Sequence, residues 1–252
     1  MKEYDVIFVL GEKYFDHPLC GVAILRRLLE KNGYSVAVID LPKKAEDIMK
    51  FGKPKLFFGV SSGAMDSMIR NYTALKRARE EDSLLKFKKE TPDRAVLVYC
   101  NWIKQKYKNS KIVIGGTEAT LRRFTHYDYW QNSLRKSIIL ESRADILVYG
   151  AGEKPILEIA NRIKNNETLI GILGTCVKSR DLPSNFINLP SHEQILKRKE
   201  KFCEMQNFLS NNKNLCQKTD NFYVLQYRSP IYSSSDLDEY YELPFTREIN
   251  SD

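Results

Sequence analysis

The sequence predicts an α/β protein with a Rossmann/flavodoxin-like, three-layer architecture. We expect a parallel sheet of about five to six strands with helices on both faces, plus a mixed carboxy-terminal extension. Short apolar runs alternate with segments of helical spacing, which is the pattern of a parallel sheet. The runs are almost continuously apolar, which is typical of strands buried on both faces. Glycine-containing loops follow four of the five clearest runs, as tight turns into helices require.

The first strand is predicted at residues 5–10, where Gly11 ends the apolar run. The first helix is predicted at residues 22–32, and Gly33 ends it, as glycine often does at a helix C-terminus. The same patterns predict strands at 35–40, 56–60, 111–114 and 145–149, helices at 66–79, 93–107 and 153–164, a polar loop at 80–91 and a short edge strand at 169–177.

The regular alternation weakens after residue 178, so we predict a Rossmann-like domain at residues 1–178 and a helical or extended linker at 179–252. Ser191 and Gln194 have the spacing of a capping box at the start of a helix that extends to about residue 209. An Asn/Lys-rich stretch at 210–218, a lone strand-like run at 222–227 and a polar, acidic segment at 233–252 without a core-forming pattern complete this part.

The composition predicts a globular protein of the cytoplasm. Hydrophobic residues make up 42% of the 252 residues, and no apolar run approaches the roughly 18 residues of a membrane span. The first residues lack the basic head and long apolar stretch of a secretory signal. The five cysteines are an odd number, and Cys203 and Cys216, 13 positions apart, form the most closely spaced pair, which argues against a disulfide framework.

The net charge of +8 raises the question of nucleic-acid binding. Acidic residues are interspersed with the basic ones, and no block of five like charges occurs. Solvated helix faces therefore explain the charge better than a nucleic-acid surface. Binding through lysines and arginines of the helices at 70–111 remains an alternative.

The glycine-containing loops are expected to meet at one edge of the sheet, where open parallel sheets bind ligands. Glycines allow backbone N–H groups to approach a ligand closely, although tight turns need glycine in any case. We therefore predict a ligand cleft that includes Ser61, Ser62, Gly63, Gly115, Gly116, Gly150, Gly152 and Glu153.

Residues 115–130 hold the densest group of chemically active side chains. The pair Gly115-Gly116 could bind a phosphate or carboxylate, with Thr117 as the helix N-cap. Glu118 would then lie in the first helical turn, where capping alone could explain it. The remaining candidates are Arg122 and Arg123, which could pair with an anionic ligand or with Asp128, and His126, either an acid–base group or a structural residue.

His17 belongs to a second cluster, in the loop after the first strand. An Asp-x-His-x-x-Gly pattern would suggest a lower axial ligand for cobalamin. Here Asp16 and His17 are adjacent and Gly21 follows four residues after the histidine, so the spacing does not match. We predict that His17 lines the same cleft without ligating a cofactor.

Several segments together resemble the amino-terminal domain of the YgiQ family of radical SAM proteins. They include residues 114–123, IGGTEATLRR, and residues 126–130, HYDYW, and the set as a whole is specific rather than any single piece. The other matching pieces lie in order at 5–9, 14–18, 52–60, 65–69, 71–73, 92–95 and 144–150, and Leu243-Pro-Phe fits the approach to the next domain.

The resemblance implies a cobalamin-binding-like Rossmann domain that precedes a radical SAM core. Such domains carry Gly-Gly-x-His-x-Thr after one strand and Gly-x-Gly-Glu after the next. This chain is similar at residues 115–120 and 150–153, but Glu118 replaces the histidine, which argues against cobalamin. The full-length family is expected to use a 4Fe–4S cluster and S-adenosylmethionine.

The cysteine spacing departs from the family at its catalytic motif. Radical SAM proteins hold their cluster with a Cys-x3-Cys-x2-Cys loop, which these five cysteines cannot form. We therefore predict no catalytic residue, no metal ligand and no cofactor bound by this chain alone. Its expected partner is the missing radical SAM core, in the same or a separate polypeptide. The alternatives are a small-ligand module, for a nucleotide or a cobalamin-like molecule, and the nucleic-acid-binding protein considered above.

Overall fold

The computed structural model describes residues 3–79 and 90–247 and shows an α/β fold built on a mostly parallel sheet. Its first half contains β1 (Val6–Leu10), α1 (Gly21–Lys31), β2 (Val36–Asp40), a 3-10 helix (Ala45–Met49), β3 (Phe57–Ser61), α2 (Ser67–Asn71), α3 (Ala95–Lys106), β4 (Lys111–Gly115) and α4 (Gly116–Leu121). The second half contains β5 (His126–Asp128), β6 (Ser133–Arg135), α5 (Ile138–Glu141), β7 (Ile146–Val148), α6 (Glu153–Lys164), β8 (Thr175–Ser179), β9 (Ile187–Asn188), α7 (His192–Lys197), α8 (Glu200–Leu209), β10 (Leu215–Thr219), β11 (Phe222–Gln226) and α9 (Ser234–Tyr241).

The described strands of the large sheet lie in the order β2-β1-β3-β4-β7-β8-β11-β10-β9. The first five are parallel to one another, which confirms the predicted parallel sheet and its five clearest strands. From β1 the chain moves outward to β2 and then returns to the other side of β1 to form β3. The sheet therefore has a topological switch point between β1 and β3, where α/β proteins form ligand crevices beyond the carboxyl ends of the strands.

Alternate residues of each parallel strand pack on opposite faces of the sheet. In β1, Val6 and Phe8 belong to the core beneath α1 and α6, whereas Ile7 and Val9 belong to the core beneath α3. All four are at most 4% exposed. Each such side chain contributes about 1.5–3 kcal/mol of burial free energy, so helices on both faces account for the continuous apolar runs.

Over the described residues the sheet has nine strands rather than five to six, because the chain adds a mixed extension next to β7. The short edge strand predicted at 169–177 overlaps β8 only at 175–177, and β8 lies inside the sheet, between β7 and β11. The lone run at 222–227 forms β11, and its partner β10 comes from the Asn/Lys-rich stretch. Two-residue hairpin loops favour Asp and Asn, and here Asp220-Asn221 joins the strands with Asp220 at φ +50°.

The carboxy-terminal segment contributes to the core, contrary to its predicted role as a linker without a core-forming pattern. Tyr240, Leu243 and Phe245 are buried and pack against Ala23 and Leu28 of α1. α9 begins at a capping box in which Ser233 accepts a hydrogen bond from the N–H of Asp236 at 3.2 Å. The segment is therefore anchored to the parallel half of the molecule.

Two predicted helices differ from the structure. The helix at 66–79 is only the five-residue α2, since Asn71 turns the chain by donating to Thr91 O at 2.9 Å and Asp93 Oδ1 at 2.8 Å. The helix that starts at the predicted capping box of Ser191 is divided into α7 and α8. The predicted loop at 80–91 lies almost entirely outside the described residues.

The division at residue 178 falls within β8, and strands on both sides of it belong to the same sheet. The two-part organisation stays a prediction. Among residues 3–79 and 90–247, no helix is both long and apolar enough to cross a membrane.

Candidate functional site

A first cavity, which we call the switch-point cleft, lies at the carboxyl ends of β1, β3, β4 and β7 and has a volume of about 240 Å³. This is the crevice that the strand order predicts. Its lining is mostly glycine and apolar side chains: Phe8, Glu12, Gly21, Val22, Leu25, Gly59, Val60, Ser61, Gly63, Ala64, Val113, Ile114, Gly115, Gly116, Thr117, Val148, Gly150, Ala151, Gly152, Glu153 and Ile156.

Two glycines of the cleft are required by close contacts as well as by backbone conformation. Gly63 has φ +101°, and a Cβ there would collide with the carboxylate of Glu12. Gly116 has φ +80°, and a Cβ there would collide with the hydroxyl of Ser61. A side chain at either position would strain the backbone and force the neighbouring loop to move.

Glu12 is a cleft residue that the sequence analysis missed. Its Oε2 accepts a hydrogen bond from the N–H of Ala64 at 3.0 Å and lies 3.7 Å from Arg70 Nη1. Nearby, Ser61 Oγ accepts from the N–H of Gly63 at 3.1 Å. The sequence signal for Glu12 was its position directly after Gly11, at the carboxyl end of β1. The carboxyl ends of the parallel strands meet at this edge of the sheet.

Glu153 is the first residue of α6, directly after Gly152, and it also lines the cleft. Its Oε2 is buried and has no hydrogen-bond partner among the described residues. A buried carboxylate oxygen without a donor carries a desolvation cost, so this atom is an unsatisfied acceptor.

Glu118 does not line the cleft, although it lies two residues after Gly116. It is fully buried, and its two carboxylate oxygens accept from the N–H groups of Ser67 and Val96, each at 3.1 Å. It thus satisfies the N-termini of α2 and α3 rather than only its own helix, and burial raises its pKa. Thr117 is not the N-cap as predicted, because α4 begins at Gly116 and Thr117 donates to Ala64 O at 2.9 Å.

A second cavity, which we call the hairpin cleft, lies beside the β5–β6 hairpin and has a volume of about 400 Å³. Its lining combines aromatic and charged side chains: Asp66, Met68, Ile69, Tyr72, Thr73, Ala74, Arg79, Leu121, Arg122, His126, Tyr127, Asp128, Tyr129 and Trp130. Tyr127 and Tyr129 remain about half exposed at its rim.

The charged residues of the hairpin cleft are largely paired with one another. Arg122 forms an ion pair with Asp66, which also accepts from the N–H of Met68 at 2.9 Å. Asp128 pairs with Arg94 at 2.7 Å and Arg135 at 3.3 Å. Burial alone would raise the pKa of Asp128, but hydrogen bonds from Arg94 and a backbone N–H lower it to about 2.

Arg123 lies outside both clefts. Its guanidinium donates to Gln226 Oε1 at 2.7 Å and to Thr120 O at 2.8 Å, and it lies over the ring of Tyr149. Asp128, one of the two partners considered for these arginines, is paired with neither of them among the described contacts. Arg94, the residue before α3, and Arg135 of β6 pair with Asp128 instead.

His126 is 9% exposed, and its Nδ1 lies 3.2 Å from Phe124 O. Because a carbonyl oxygen only accepts, Nδ1 must carry the proton, and Nε2 is left as an acceptor. Burial, together with the nearby Arg122 and Arg135, lowers the pKa of His126 to about 4. The imidazole is therefore neutral at pH 7.

The candidates predicted from the sequence are distributed over three places. The switch-point cleft contains Ser61, Gly63, Gly115, Gly116, Gly150, Gly152 and Glu153, and the hairpin cleft contains Arg122, His126 and Asp128. Ser62, Glu118, Arg123 and His17 line neither cavity. Ser62 Oγ donates to Met65 O at 2.9 Å, and the Nδ1 of His17 accepts from the N–H of Leu19 at 3.1 Å within its own loop.

The residues present do not fit an iron–sulfur cluster or an axial cobalamin ligand. Cys100, Cys176 and Cys216 are buried in the core, and the described part of the chain holds no group of three or more His, Cys, Asp or Glu suited to a metal ion. Glu118, at the position of the family histidine, has both oxygens engaged by backbone N–H groups.

Basic residues of the helical region at 70–111 are partly used in ion pairs. Lys106 pairs with Glu46 at 2.8 Å, and Lys111 with Asp145 at 3.3 Å. The nucleic-acid alternative remains a prediction.

The chain matches the family described as radical SAM N-terminal over residues 1–252. It is 42% identical to a UPF0313 protein of Methanocaldococcus jannaschii, a match that covers 98% of this chain and 43% of that protein. It is 40% identical to a UPF0313 protein of Fusobacterium nucleatum, covering 98% of this chain and 46% of that protein. The chain thus spans less than half the length of these relatives.

The solved structures show a weaker similarity. The radical SAM methyltransferase TsrM of Kitasatospora setae, with tryptophan substrate and a SAM analogue bound, is 19% identical with a TM-score of 0.46. The match covers 68% of this chain and 28% of that chain.

Proposed function

The chain belongs to the radical SAM N-terminal family, and on that premise we propose that it is the accessory amino-terminal domain of a radical SAM enzyme. In this role it binds a small molecule in the switch-point cleft and shields it beside a catalytic core that lies elsewhere. The iron–sulfur chemistry belongs to that core, which supplies the thiolate loop that this chain lacks. The domain alone is catalytically silent.

The observation that carries the proposal is the position at which residues 246 and 247 are anchored. The N–H of Thr246 donates to Asp16 Oδ2, and the N–H of Arg247 donates to Asp16 O, each at 3.0 Å. Asp16 lies in the loop after β1, at the same edge of the sheet as the switch-point cleft. Residues 246 and 247 are therefore anchored at the edge of the sheet that holds the cleft.

The same edge exposes large apolar side chains, which supports its use as a docking surface. Leu19 is 85% exposed in the loop after β1, and Ile231 is 80% exposed in the segment after β11. Met65, Ile69 and Leu121 are also more than half exposed, in the segments that follow β3 and β4. A core that covered this edge would remove these side chains from water and close the cleft.

The cleft itself has the character of a small-molecule site. Its walls are mostly apolar, and its volume is about 240 Å³. Backbone groups from four strand ends converge on it, as in other sheets with a switch point.

Anaerobic reconstitution with iron and sulfide tests the catalytic silence. The chain should acquire no stoichiometric 4Fe–4S absorbance and release no 5′-deoxyadenosine from S-adenosylmethionine. A radical SAM enzyme with the three-cysteine loop, treated in parallel, shows that the reconstitution works. One cluster per chain together with cleavage would contradict the proposal.

A further inference from the structure

The charged side chains that line the switch-point cleft have one sign. Among the described residues of the lining, Glu12 and Glu153 are the ionisable ones, and both are acidic. The chain as a whole carries a charge of +8, so this acidic character is local. An anionic ligand would meet two carboxylates in a cavity with apolar walls, where charges are poorly screened.

Glu12 already occupies the backbone group that an anion would seek. A glycine-rich loop usually offers N–H groups to a phosphate or carboxylate. Here the N–H of Ala64 donates to Glu12 Oε2 at 3.0 Å, and Arg70 Nη1 lies 3.7 Å from the same oxygen. An anionic ligand would have to displace a carboxylate that is held by both a hydrogen bond and a partner of opposite charge.

Glu153 differs from Glu12, because its buried Oε2 lacks a hydrogen-bond donor among the described residues. The hydroxyl of Tyr232, whose pKa is affected by Glu153, donates to Ala151 O at 3.2 Å. Burial raises the pKa of both Tyr232 and Tyr240, and the negative charge of Glu153 adds to the shift. Among the described residues the Glu153 carboxylate has no ion-pair partner, since the adjacent Lys154 pairs with Asp236 at 2.8 Å. A cationic ligand in the cleft would supply its counter-charge.

The rest of the cavity suits an apolar body. Phe8, Leu25 and Ile156 provide side-chain walls, and Gly59 leaves room for the Phe8 ring, which a Cβ at that position would strike. Packing against such walls favours a compact hydrocarbon or aromatic group.

We infer that the switch-point cleft selects a small apolar molecule that carries an ammonium or similar cationic N–H group, with Glu153 as its counter-charge. This inference rests on the proposed function, namely that the cleft takes a small ligand, and it adds the ligand's chemical class. It also replaces the phosphate or carboxylate that the glycine pair alone suggested.

Three probes of nearly equal shape test the charge preference on the full 252-residue chain. They are 3-phenylpropylamine, 3-phenylpropanol and 3-phenylpropionate, titrated at pH 7 with protein-observed NMR. The amine should bind about tenfold or more tightly than the carboxylate, which corresponds to about 1.4 kcal/mol, and the alcohol should lie between them.

Substitution of Glu153 identifies the counter-charge. Glu153→Gln keeps the shape of the side chain, so the preference for amine over carboxylate should fall to about threefold or less. Glu200→Gln is a matched control, since Glu200 is also the first residue of a helix, α8, but its side chain is 78% exposed. That variant should retain the full preference.

The outcomes separate the inference from its premise. Equal or tighter binding of 3-phenylpropionate would overturn the cationic class while leaving the cleft as a ligand site. An unchanged preference in Glu153→Gln would overturn the role of Glu153. Binding of none of the three probes would contradict the ligand-binding function itself.

Discussion

The two clefts differ in how far their polar groups are already satisfied. In the hairpin cleft, Arg122, Asp66 and Asp128 are held in ion pairs within the protein. In the switch-point cleft, Glu153 keeps a buried oxygen without a donor among the described residues. The hairpin cleft is the larger, at about 400 Å³ against 240 Å³, but its charges serve to fix the hairpin. A polar group without a partner is thus a better guide to a ligand site here than cavity volume or the number of charged residues.

The buried Glu118, which lines neither cleft, should be the most sensitive position of this arrangement. Glu118→Ala removes the acceptor of two buried backbone N–H groups, at Ser67 and Val96, and should destabilise the fold by about 3 kcal/mol or more. Glu118→Gln keeps one acceptor oxygen and should cost less. Urea unfolding measures both.

The exposed Glu200→Ala in α8 serves as the control and should change the unfolding free energy by less than about 0.5 kcal/mol. A similarly small effect of Glu118→Ala would show that Glu118 is not a structural residue. In that case it would return as a cleft candidate.

The hairpin cleft should impose an acid sensitivity through His126. Its pKa is about 4 in the folded state and about 6.5 when unfolded, so the unfolded chain binds more protons between these values. The contribution of His126 to the free energy of unfolding is complete above pH 6.5. It should decrease by about 3 kcal/mol as the pH falls to 4.

His126→Asn removes the titration, so its unfolding free energy should change less between pH 7 and pH 4 than that of the unsubstituted chain. The pKa of His192 is also lowered, chiefly by burial, and will contribute a residual dependence in both proteins. Parallel pH profiles for the two proteins would mean that the His126 imidazole is solvated and free to act on a ligand.

The carboxy-terminal segment beside the switch-point cleft should behave as part of the fold. Leu243 is 2% exposed against α1, so Leu243→Ala should cost about 2–3 kcal/mol through lost burial and the cavity left behind. Leu237 in α9 is 51% exposed, and Leu237→Ala should have little effect on thermal unfolding. Equal, small effects would indicate a loosely attached linker, as the sequence suggested.

Substitutions at the exposed apolar edge should have the smallest effect, a change in the fluorescence of a bound dye. Leu19→Glu combined with Ile231→Glu should reduce the fluorescence of a bound hydrophobic dye such as ANS, since both side chains lie at the proposed docking edge. Leu182→Glu combined with Leu196→Glu changes two exposed leucines elsewhere and should reduce it less. A larger decrease for the Leu182 and Leu196 pair would show that the dye-binding apolar surface lies away from the cleft.

The parallel half of the fold could be predicted from the sequence because local patterns determine it. Continuous apolar runs such as that ending at Gly11 indicate buried strands, and the family match confirms the resemblance to radical SAM amino-terminal domains. The extension was harder to predict because β10 contains Gln217 and Lys218 and depends on its pairing with β11. The Asp220-Asn221 turn was the signal that could have found this hairpin.

The candidate site was predicted only in part, because neighbours in sequence diverge in space. Gly116 opens the switch-point cleft, but α4 then carries the chain past it, so that Arg122 and His126 reach the hairpin cleft. Glu118 turns inward to two other helices. Those contacts join residues 22 to 51 positions apart, and no local pattern encodes them.

The most direct test of the central claim is to map where a small cationic ligand binds. Backbone amide shifts of the full chain, titrated with 3-phenylpropylamine, should change most at Gly63, Gly116, Gly150 and Gly152. Gly21→Phe, which adds a ring at the mouth of the cleft where a Cβ meets no neighbour, should weaken these changes, whereas Gln206→Phe on the exposed face of α8 should not. Shifts centred on Tyr127, Tyr129 and Trp130, or none at all, would contradict the assignment of the switch-point cleft as the ligand site.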